Sequence, residues 1–264
     1  MSTARIQAAA QLLAALRRGA PRPVSLPAEL APRSQSEAYQ VQQETMRLLG
    51  QSAGGWKVSM SDADHGTYAP IFSADLLSSG AQLSTPADTP FGVEPEIAFS
   101  LRSDLPPLPA GRLYRREEVL DAVGGAHAAI EVVLSRFRSH EGAPALDRLA
   151  DNISNGALVL APACTDWRAL DLTQLPLRMT LRGTDGERVL HEGRGGHPLA
   201  DPVLALVWLA NQFASQGTGL RAGARITTGS CAGLHHAVPG SRVEARFDGL
   251  GMVSLDHDKQ QPRS

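Results

Sequence analysis

Cysteine is scarce in this chain, and long apolar runs are missing from it. Cys164 and Cys231 are its only cysteines, and they do not form a CxxC pair. Two isolated thiols exclude a disulfide framework and a cysteine-based zinc site, and they suit a reducing, cytoplasmic location. No apolar run approaches the ~20 residues of a membrane-spanning helix, so we expect no membrane partner.

Clusters of basic charge and common catalytic signatures are also lacking. The 25 lysines and arginines are scattered among 27 acidic residues, for a net charge of -2. This balance argues against a nucleic-acid partner. The chain has no GxSxG motif, and the glycines of GRGGHP (193–198) lack the strand–glycine–helix order of a nucleotide-binding loop. Serine-nucleophile and dinucleotide chemistry are therefore disfavoured.

Short strand patterns are what the chain has in quantity. Helical patterns precede them, and two more interrupt them, in RREEVLDAVGG (ending at its glycines) and DPVLALVWLANQFASQG. We predict an α+β, mostly β fold with an N-terminal helical region (1–54), a β-rich metal-binding catalytic core (55–255) and a disordered polar tail (256–264). The predicted strands cover 55–60, 92–101, 128–137, 157–161, 176–182, 187–192, 224–229, 241–247 and 251–255.

Two glutamates stand in the strand pattern GVEPEIAFSL, residues 92–101. Alternation along a strand places Glu94 and Glu96 on one face, opposite the apolar face of Val93, Ile97 and Phe99. Two adjacent carboxylates repel each other, and burial adds to the penalty, so a bound cation would stabilise them. The alternative is an edge strand with a solvated acidic face, which Pro95 would suit.

A third glutamate lies in AAIEVVLSRF, residues 128–137, a run typical of a strand buried on both faces. A charge at Glu131 needs an ion pair or a metal there. Arg136 or Arg138 would supply the ion pair. With Glu94 and Glu96, Glu131 would instead complete an all-oxygen site suited to Mg²⁺ or Mn²⁺, with positions left open for a small 2-oxo acid substrate.

Seven segments in a fixed order carry a resemblance to a known family. They are GWKVSM, VEPEIAF, AAIEVVLSRF, ADNISNGALVL, GRGGHPLADPVLALVWLA, LRAGARITTGS and PGSRVEARFDGLGMVSL. The chain resembles the 2-keto-4-pentenoate hydratase and 2-oxo-3-hexenedioate decarboxylase group of the fumarylacetoacetate hydrolase superfamily over about residues 40 to 255. The resemblance implies the superfamily's C-terminal-like fold, with a rolled mixed β-sheet core and peripheral helices, a divalent metal and a homo-oligomer.

The resemblance also implies roles for single residues. The metal carboxylates of the family fall on Glu94, Glu96 and Glu131, and its catalytic strand lysine falls on Lys57. Its substrate-binding residues fall on Thr228, Gly229 and Asn155. Simpler explanations remain open at this point, because Lys57 also suits an exposed strand, Gly229 a strand end and Asn155 an ordinary turn.

The chain departs from the family pattern after its first strand. The segment SDADHGTYAP is shorter than the corresponding loop of the hydratases, and no residue in it aligns cleanly with the family's acidic residue. Asp64 and His65 are the candidates for the catalytic acid–base pair. A surface turn rich in Asp and Gly explains the same residues without chemistry.

Four functions follow as hypotheses. The first is a hydratase that adds water to a 2-hydroxy-2,4-dienoate in aromatic meta-cleavage catabolism, together with a partner enzyme of the same pathway. The second is a 2-oxo-3-enedioate decarboxylase, whose substrate needs a further cationic contact such as Arg194, Arg221 or Arg225. The third is a C–C hydrolase of acylpyruvates with His65 as base. The fourth is a non-catalytic protein that keeps the fold.

Overall fold

The computed structural model describes residues 2–85 and 91–259. Its helices are α1 (Thr3–Arg17), α2 (Gln35–Leu48), α3 (Arg116–Ala122), α4 (Ala145–Ala150) and α5 (Pro202–Ser215), with short 3₁₀ turns at Ser73–Asp75, Asn152–Ser154 and Trp167–Ala169. Its strands are β1 (Ala53–Met60), β2 (Gly66–Phe72), β3 (Leu76–Ser78), β4 (Ala81–Thr85), β5 (Phe91–Leu101), β6 (Val123–Val133), β7 (Asn155–Leu160), β8 (Pro176–Gly183), β9 (Gly186–Arg194), β10 (Arg225–Ser230), β11 (His235–Ala237), β12 (Ser241–Phe247) and β13 (Gly251–Lys259).

Two mixed sheets form the core, which confirms the mostly β α+β prediction. The larger sheet has the strand order β2-β1-β10-β5-β6-β7-β3, with β11 also paired to β5, and the smaller has the order β4-β13-β12-β8-β9. Ile71 of β2 shares one apolar cluster with Leu158 of β7, although four strands separate them in the sheet. The large sheet is therefore rolled around this cluster, but its described strands do not close into a barrel.

The helices begin where the sequence supplies capping groups. Ser2 and Ser34 accept hydrogen bonds from the amides of Arg5 and Glu37, and Asp201 caps α5 ahead of a proline in the first turn. The helices α1 and α2 pack with α4 around a separate apolar cluster that includes Leu13, Val41, Phe137 and Leu149. None of the helices in the described residues has both the length and the apolar character that crossing a membrane requires.

The strand β5 is central, so the edge-strand explanation of its acids is wrong. It pairs with β6 on one side and with β10 and β11 on the other. The carbonyl of Pro95 accepts the amide of Cys231 at 2.8 Å, so the ring nitrogen of Pro95 faces the same side. On this side of β5, regular pairing stops at Ser230 of β10 and resumes at His235 of β11. Proline has no backbone N–H, and its position in this gap therefore costs no ladder hydrogen bond.

Two predicted boundaries around β6 are wrong. The glycines Gly124 and Gly125 were expected to end α3, but β6 already begins at Val123 and it ends at Val133, short of 137. A Cβ on either glycine would lie 3.0 Å from the side chain of Arg102 or Ala163. At these two positions of β6, glycine allows neighbouring segments to approach the strand closely. The strands β2, β3, β4 and β11 and the helix α4 were not predicted.

The polar tail was expected to begin at residue 256, and this boundary is wrong too. β13 continues to Lys259, paired with β12 and, in parallel, with β4. His257 is buried against Phe91 and hydrogen-bonded to Thr85, so its polarity did not indicate exposure. Residues 260–264 of the expected tail lie outside the described residues. The division into a helical region and a core stays a prediction.

Candidate metal centre and active site

Three carboxylates converge on the inner face of the large sheet. Glu94 lies directly opposite Glu131 in the β5–β6 ladder, and Glu96 is two residues further along β5. One oxygen from each carboxylate lies within 4.8 Å of the others. Glu96 and Glu131 are buried, with 2% and 0% of their surface exposed, while Glu94 is half-buried at the open side. The alternation of β5 therefore places the acids as the sequence predicted.

Lys57 and Asn155 hold Glu131 from two other strands. The Nζ of Lys57 lies 2.6 Å from Oε1 of Glu131, and Nδ2 of Asn155 donates to the same oxygen at 2.8 Å. Lys57 also donates to the carbonyl of Ile153 at 3.2 Å. Arg136, the alternative partner, instead pairs with Asp151. Asn155 was expected to bind substrate, and the structure places it behind Glu131, outside the residues that line the cavity described below.

Glu96 is held by the second half of β10, where the pairing of β10 with β5 shifts register between Thr227 and Ser230. Its Oε2 accepts hydrogen bonds from the hydroxyl of Thr227 and, at 3.1 Å, from the amide of Gly229. Gly229 has a φ of +116°, a conformation that favours glycine, and this directs its amide toward the carboxylate. Thr228 donates to the carbonyl of Ile97 at 2.8 Å, which fixes this part of β10 against β5. The contribution of Thr227 was not predicted.

This cluster contains more acidic groups than basic ones. Burial raises the pKa of Glu94 to about 7, and repulsion from Glu131 adds to the shift, against the attraction of Lys57. Burial, with repulsion from Glu131 and Glu94, holds the pKa of Glu96 well above its usual range against the attraction of Lys57. Burial lowers the pKa of Lys57, but the attraction of Glu131, Glu94 and Glu96 outweighs this and the pKa is raised. One ammonium thus faces three carboxylates.

A divalent cation fits the donors present. The Oε2 atom of Glu131 is buried and has no hydrogen-bond partner in the described residues. A buried oxygen of this kind is rare in proteins unless an ion or a water satisfies it. Three anionic oxygens within a few ångströms are the ligands that Mg²⁺ and Mn²⁺ prefer. A cation would offset both the burial of the negative charges and the repulsion between them, the two causes of the raised carboxyl pKa values.

A left-handed turn positions the partners of Glu131. Asn152, Ile153 and Ser154 have φ values of 54°, 50° and 57°. This conformation is unfavourable for residues other than glycine, most of all for β-branched Ile153. The turn directs the carbonyl of Ile153 at Lys57 and leads directly into Asn155. Strain of this kind persists where the surrounding contacts hold it, here the pairing of Arg136 with Asp151.

The acids open into a cavity of about 360 Å³. Val58, Met60, Pro198 and Leu199 supply apolar wall, and Thr228 and Gly229 line it as well. We call this the acidic cavity; its residues are Lys57, Val58, Ser59, Met60, Glu94, Glu96, Glu131, Gly196, His197, Pro198, Leu199, Thr228, Gly229, Ser230 and Gly233. A small molecule with one polar and one apolar end suits such a lining.

His197 is a lining residue that the sequence did not indicate. Its Nε2 donates to the carbonyl of Thr228 at 2.8 Å, and its Nδ1 accepts the amide of Leu199 at 3.2 Å. Burial lowers its pKa, so the neutral form is favoured. With both ring nitrogens occupied, His197 fixes the GRGGHP segment against Thr228 of β10. Its sequence signal, a histidine after two glycines, did not distinguish it from a loop residue.

Asp64 and His65 lie outside the acidic cavity. They line a neighbouring cavity that shares only Ser59 and Met60 with the acidic one. His65 is exposed, and its Nδ1 lies 2.9 Å from Oδ1 of Asp62, which raises the pKa of the imidazole through a hydrogen bond and the adjacent charge. The backbone carbonyl of Asp64 accepts the indole N–H of Trp208. Their role as an acid–base pair stays a prediction.

Comparison with known proteins identifies the family. A family model described as the fumarylacetoacetate (FAA) hydrolase C-terminal domain matches residues 58–255. The chain belongs to this family. A 2-keto-4-pentenoate hydratase from Burkholderia vietnamiensis is 30% identical over 227 residues, which cover 82% of this chain and 83% of the relative. A 2-hydroxyhexa-2,4-dienoate hydratase from Comamonas testosteroni is 34% identical over 61% of this chain and 58% of its own length.

Solved structures agree with this fold. The 4-oxalocrotonate decarboxylase from Pseudomonas putida, complexed with magnesium and adipate, has a TM-score of 0.80 at 21% identity and covers 97% of this chain and 98% of its own. A fumarylpyruvate hydrolase from Pseudomonas aeruginosa, in complex with Mn²⁺ and pyruvate, has a TM-score of 0.54 at 16% identity, covering 78% and 89%. The fumarylacetoacetate hydrolase fold and the expectation of an enzyme are confirmed.

Proposed function

We propose that this enzyme is a hydratase, which adds water to a 2-hydroxy-2,4-dienoate and yields a 4-hydroxy-2-oxo acid. The observation that carries the proposal is the convergence of Glu94, Glu96, Glu131 and Lys57 on one partly apolar cavity. The names of the relatives, hydratases at 30–35% identity, support the same reaction class.

Glu94, Glu96 and Glu131 are the residues that would hold Mg²⁺ or Mn²⁺. When bound, such an ion supplies Lewis-acid polarisation of the substrate oxygen at C2. The other contacts of the acids leave room for this role. Lys57 and Asn155 occupy Oε1 of Glu131, and Thr227 and Gly229 occupy Oε2 of Glu96, so each carboxylate keeps its other oxygen.

Lys57 has two tasks in this proposal. Its buried ammonium attracts the substrate carboxylate, because an opposite charge in a cavity of low polarity is strongly favoured. Its Nζ also holds protons that can be passed to substrate carbon. Hydration requires that the enol proton leaves and C5 gains a proton, after which water adds at C4 and C3 gains another. Lys57 or a carboxylate serves as the carrier.

Thr228 and Gly229 would contact the substrate, and Asp64 with His65 would supply the acid–base partner. The shared lining residues Ser59 and Met60 place the loop of Asp64 beside the acidic cavity, which supports the assignment. His65→Ala tests it. Turnover should fall by about 10²-fold if His65 moves a proton. Retention of wild-type turnover would restrict acid–base chemistry to Lys57 and the acids.

The decarboxylase alternative needs a cation for a second carboxylate. Lys57 is the only lysine or arginine among the described residues that line the acidic cavity. Arg194, Arg221 and Arg225 do not line it, and Arg221 pairs with Asp104. The acidic cavity by itself therefore suits a substrate with a single carboxylate.

Product analysis tests the reaction directly. The enzyme is incubated with 2-hydroxypenta-2,4-dienoate and with its dicarboxylate analogue, with and without EDTA, and products are followed by NMR. We expect a 4-hydroxy-2-oxo acid, no released CO₂ and no reaction with EDTA. Release of CO₂ would establish the decarboxylase. In a parallel incubation with an acylpyruvate, formation of two acid fragments would establish the C–C hydrolase.

Assembly is part of the same proposal. We infer a homo-oligomer, and association with a partner enzyme of the same pathway, from the resemblance to the hydratase group. Light scattering of the purified chain tests the first inference. Co-elution with the aldolase-type enzyme that would consume a 4-hydroxy-2-oxo acid tests the second.

A further inference from the structure

A second cavity, of about 420 Å³, lies beside the acidic cavity at the ends of β5 and β6. Gly92 and Val133 line it, and they pair with each other two residues beyond Glu94 and Glu131. Because side chains alternate, all four residues belong to the same face of the sheet. Two residues along a strand span about 7 Å. A short carbon chain anchored at the acids can therefore extend to this cavity.

Leu234 lies where the linings of the two cavities meet along the chain. Gly233 lines the acidic cavity, and the next residue, Leu234, lines the second one. A Cβ on Gly92 would lie 2.3 Å from Cδ1 of Leu234, so the leucine side chain rests directly on the glycine backbone. The boundary is thus one apolar side chain over a glycine.

The second cavity is basic. Arg22 and Arg138 line it with His140 and His236, and Glu141 is the one acid among the described lining residues. Neither arginine forms an ion pair with a carboxylate in the part of the chain that the structure describes. We call it the basic cavity; it comprises Arg22, Gly92, Val133, Ser135, Phe137, Arg138, Ser139, His140, Glu141, Leu234 and His236.

Contacts between distant segments hold this cavity together. The Nε of Arg138 donates to the carbonyl of Arg22 at 3.2 Å, and the amide of Arg138 donates to the carbonyl of Pro23 at 2.9 Å. The Nδ1 of His140 lies 2.9 Å from the hydroxyl of Ser154, in the turn that supports Lys57. The connector after α1 is therefore joined to the segment after β6, beside the acids.

We infer that the basic cavity binds a second carboxylate, at the far end of the substrate. Guanidinium groups without an anionic partner, set around a partly apolar wall, are suited to a carboxylate. The inference rests on the proposed function and narrows its substrate class. The preferred substrate is a 2-hydroxydienoate that carries an acid group at its other end, and the unsubstituted five-carbon monoacid is a poorer substrate.

The charge of the basic cavity also bears on the reaction. A carboxylate that leaves as CO₂ loses its charge in the transition state, so arginines that hold it stabilise the ground state more and slow the step. A carboxylate that stays on the product keeps its contacts throughout. The basic cavity is therefore consistent with hydration of a diacid, in which no carbon leaves.

Two inert probes of equal chain length test the inference. 2-Oxoadipate and 2-oxohexanoate differ only in the terminal carboxylate, and their affinities for the Mn²⁺-loaded enzyme are measured by calorimetry. We expect 2-oxoadipate to bind about tenfold more tightly, the effect of one charge-assisted contact. Arg22→Gln combined with Arg138→Gln should reduce this preference to about twofold and leave 2-oxohexanoate affinity unchanged. Arg33→Gln, an exposed arginine on the connector, is the matched control.

Separate results decide the two proposals. Equal binding of the probes by the wild type, or an undiminished preference in the double variant, overturns the basic cavity as a carboxylate site. The preference should also weaken with added salt, as an exposed charge contact does. If the preference holds but no dienoate is hydrated, the proposed function fails and the carboxylate site stands. If the monoacid dienoate is hydrated but 2-oxoadipate binds no more tightly than 2-oxohexanoate, the carboxylate site fails and the proposed function stands.

Discussion

One face of β5 and β6 has two halves with opposite chemistry. In one half Glu94, Glu96 and Glu131 converge within 4.8 Å of one another. In the other, Ala98 and Ala129 pack in a small apolar cluster with Ile71 and Leu158. The two strands pair in one regular antiparallel ladder across both halves. The backbone is thus the same, and the difference lies in what the neighbouring segments provide.

Polar groups from three neighbouring strands reach the acidic half, whereas aliphatic side chains close the apolar half. Lys57 of β1, Thr227 of β10 and Asn155 of β7 all reach the carboxylates. The apolar half is closed by side chains of β2 and β7, which donate no hydrogen bond. The comparison teaches that a buried acid is tolerated only where several elements supply hydrogen-bond donors. The excess of three carboxylates over one ammonium then identifies a cation site.

Removing one acid should have the largest effect. Glu131→Gln takes a ligand from the cation and the ion-pair partner from Lys57, so we expect turnover of 2-hydroxypenta-2,4-dienoate to fall on the order of 10³-fold. Steady-state kinetics and Mn²⁺ calorimetry measure it. Glu244→Gln, on β12 of the small sheet, is the matched control and should leave both unchanged. Normal Mn²⁺ binding by Glu131→Gln would refute the site.

Placing an acid in the apolar half should destabilise the fold. Ala98→Asp buries a carboxylate among Ile71 and Leu158, and both nitrogens of nearby His127 are already engaged. We expect the free energy of unfolding to fall by about 3–5 kcal/mol, measured by urea denaturation. Ala4→Asp, on the exposed first turn of α1, should change it by less than about 0.5 kcal/mol. An equally mild effect at position 98 would contradict the comparison.

The metal-free enzyme should lose stability as pH rises. The pKa of Glu94 is raised to about 7 in the fold, from 4.5. The folded state therefore holds a proton that the unfolded chain has released between these values, and this stabilisation is fully present below about pH 4.5 and lost above about pH 7. Urea denaturation in EDTA at pH 5 and pH 8 measures it. Glu94→Gln should reduce the difference in the free energy of unfolding between pH 5 and pH 8. If the variant keeps the pH dependence of the wild type, the raised pKa of Glu94 is not its cause.

The smallest effect concerns the left-handed turn. Ile153→Gly and Ile153→Ala both remove the side chain, but only glycine adopts a φ of 50° without strain. We therefore expect the glycine variant to be more stable than the alanine variant by about 1 kcal/mol, the reverse of the usual order. Thermal denaturation compares them. The ordinary order, with alanine ahead, would show that the turn relaxes away from the left-handed region.

Much of the site was predictable because strands impose a simple geometry. The i, i+2 spacing of Glu94 and Glu96 placed them on one face, and an acid inside an apolar run singled out Glu131. Lys57 followed from the family resemblance. The fold class and the family were likewise predicted and confirmed. The polar tail and the ends of β6 were misjudged, because pairing with distant strands, not local composition, sets those boundaries.

The amino-acid sequence alone determined which side chains on β5 and β6 are acidic and which face of the strands they share, since that follows from alternation along one segment. Only the tertiary structure decided which groups meet them. Glu96 and Thr227 lie 131 residues apart, and His65 lies close to Lys57 in sequence yet outside the acidic cavity. Strand order and the left-handed turn at 152–154 set these distances, because they depend on pairings between segments that no local pattern records.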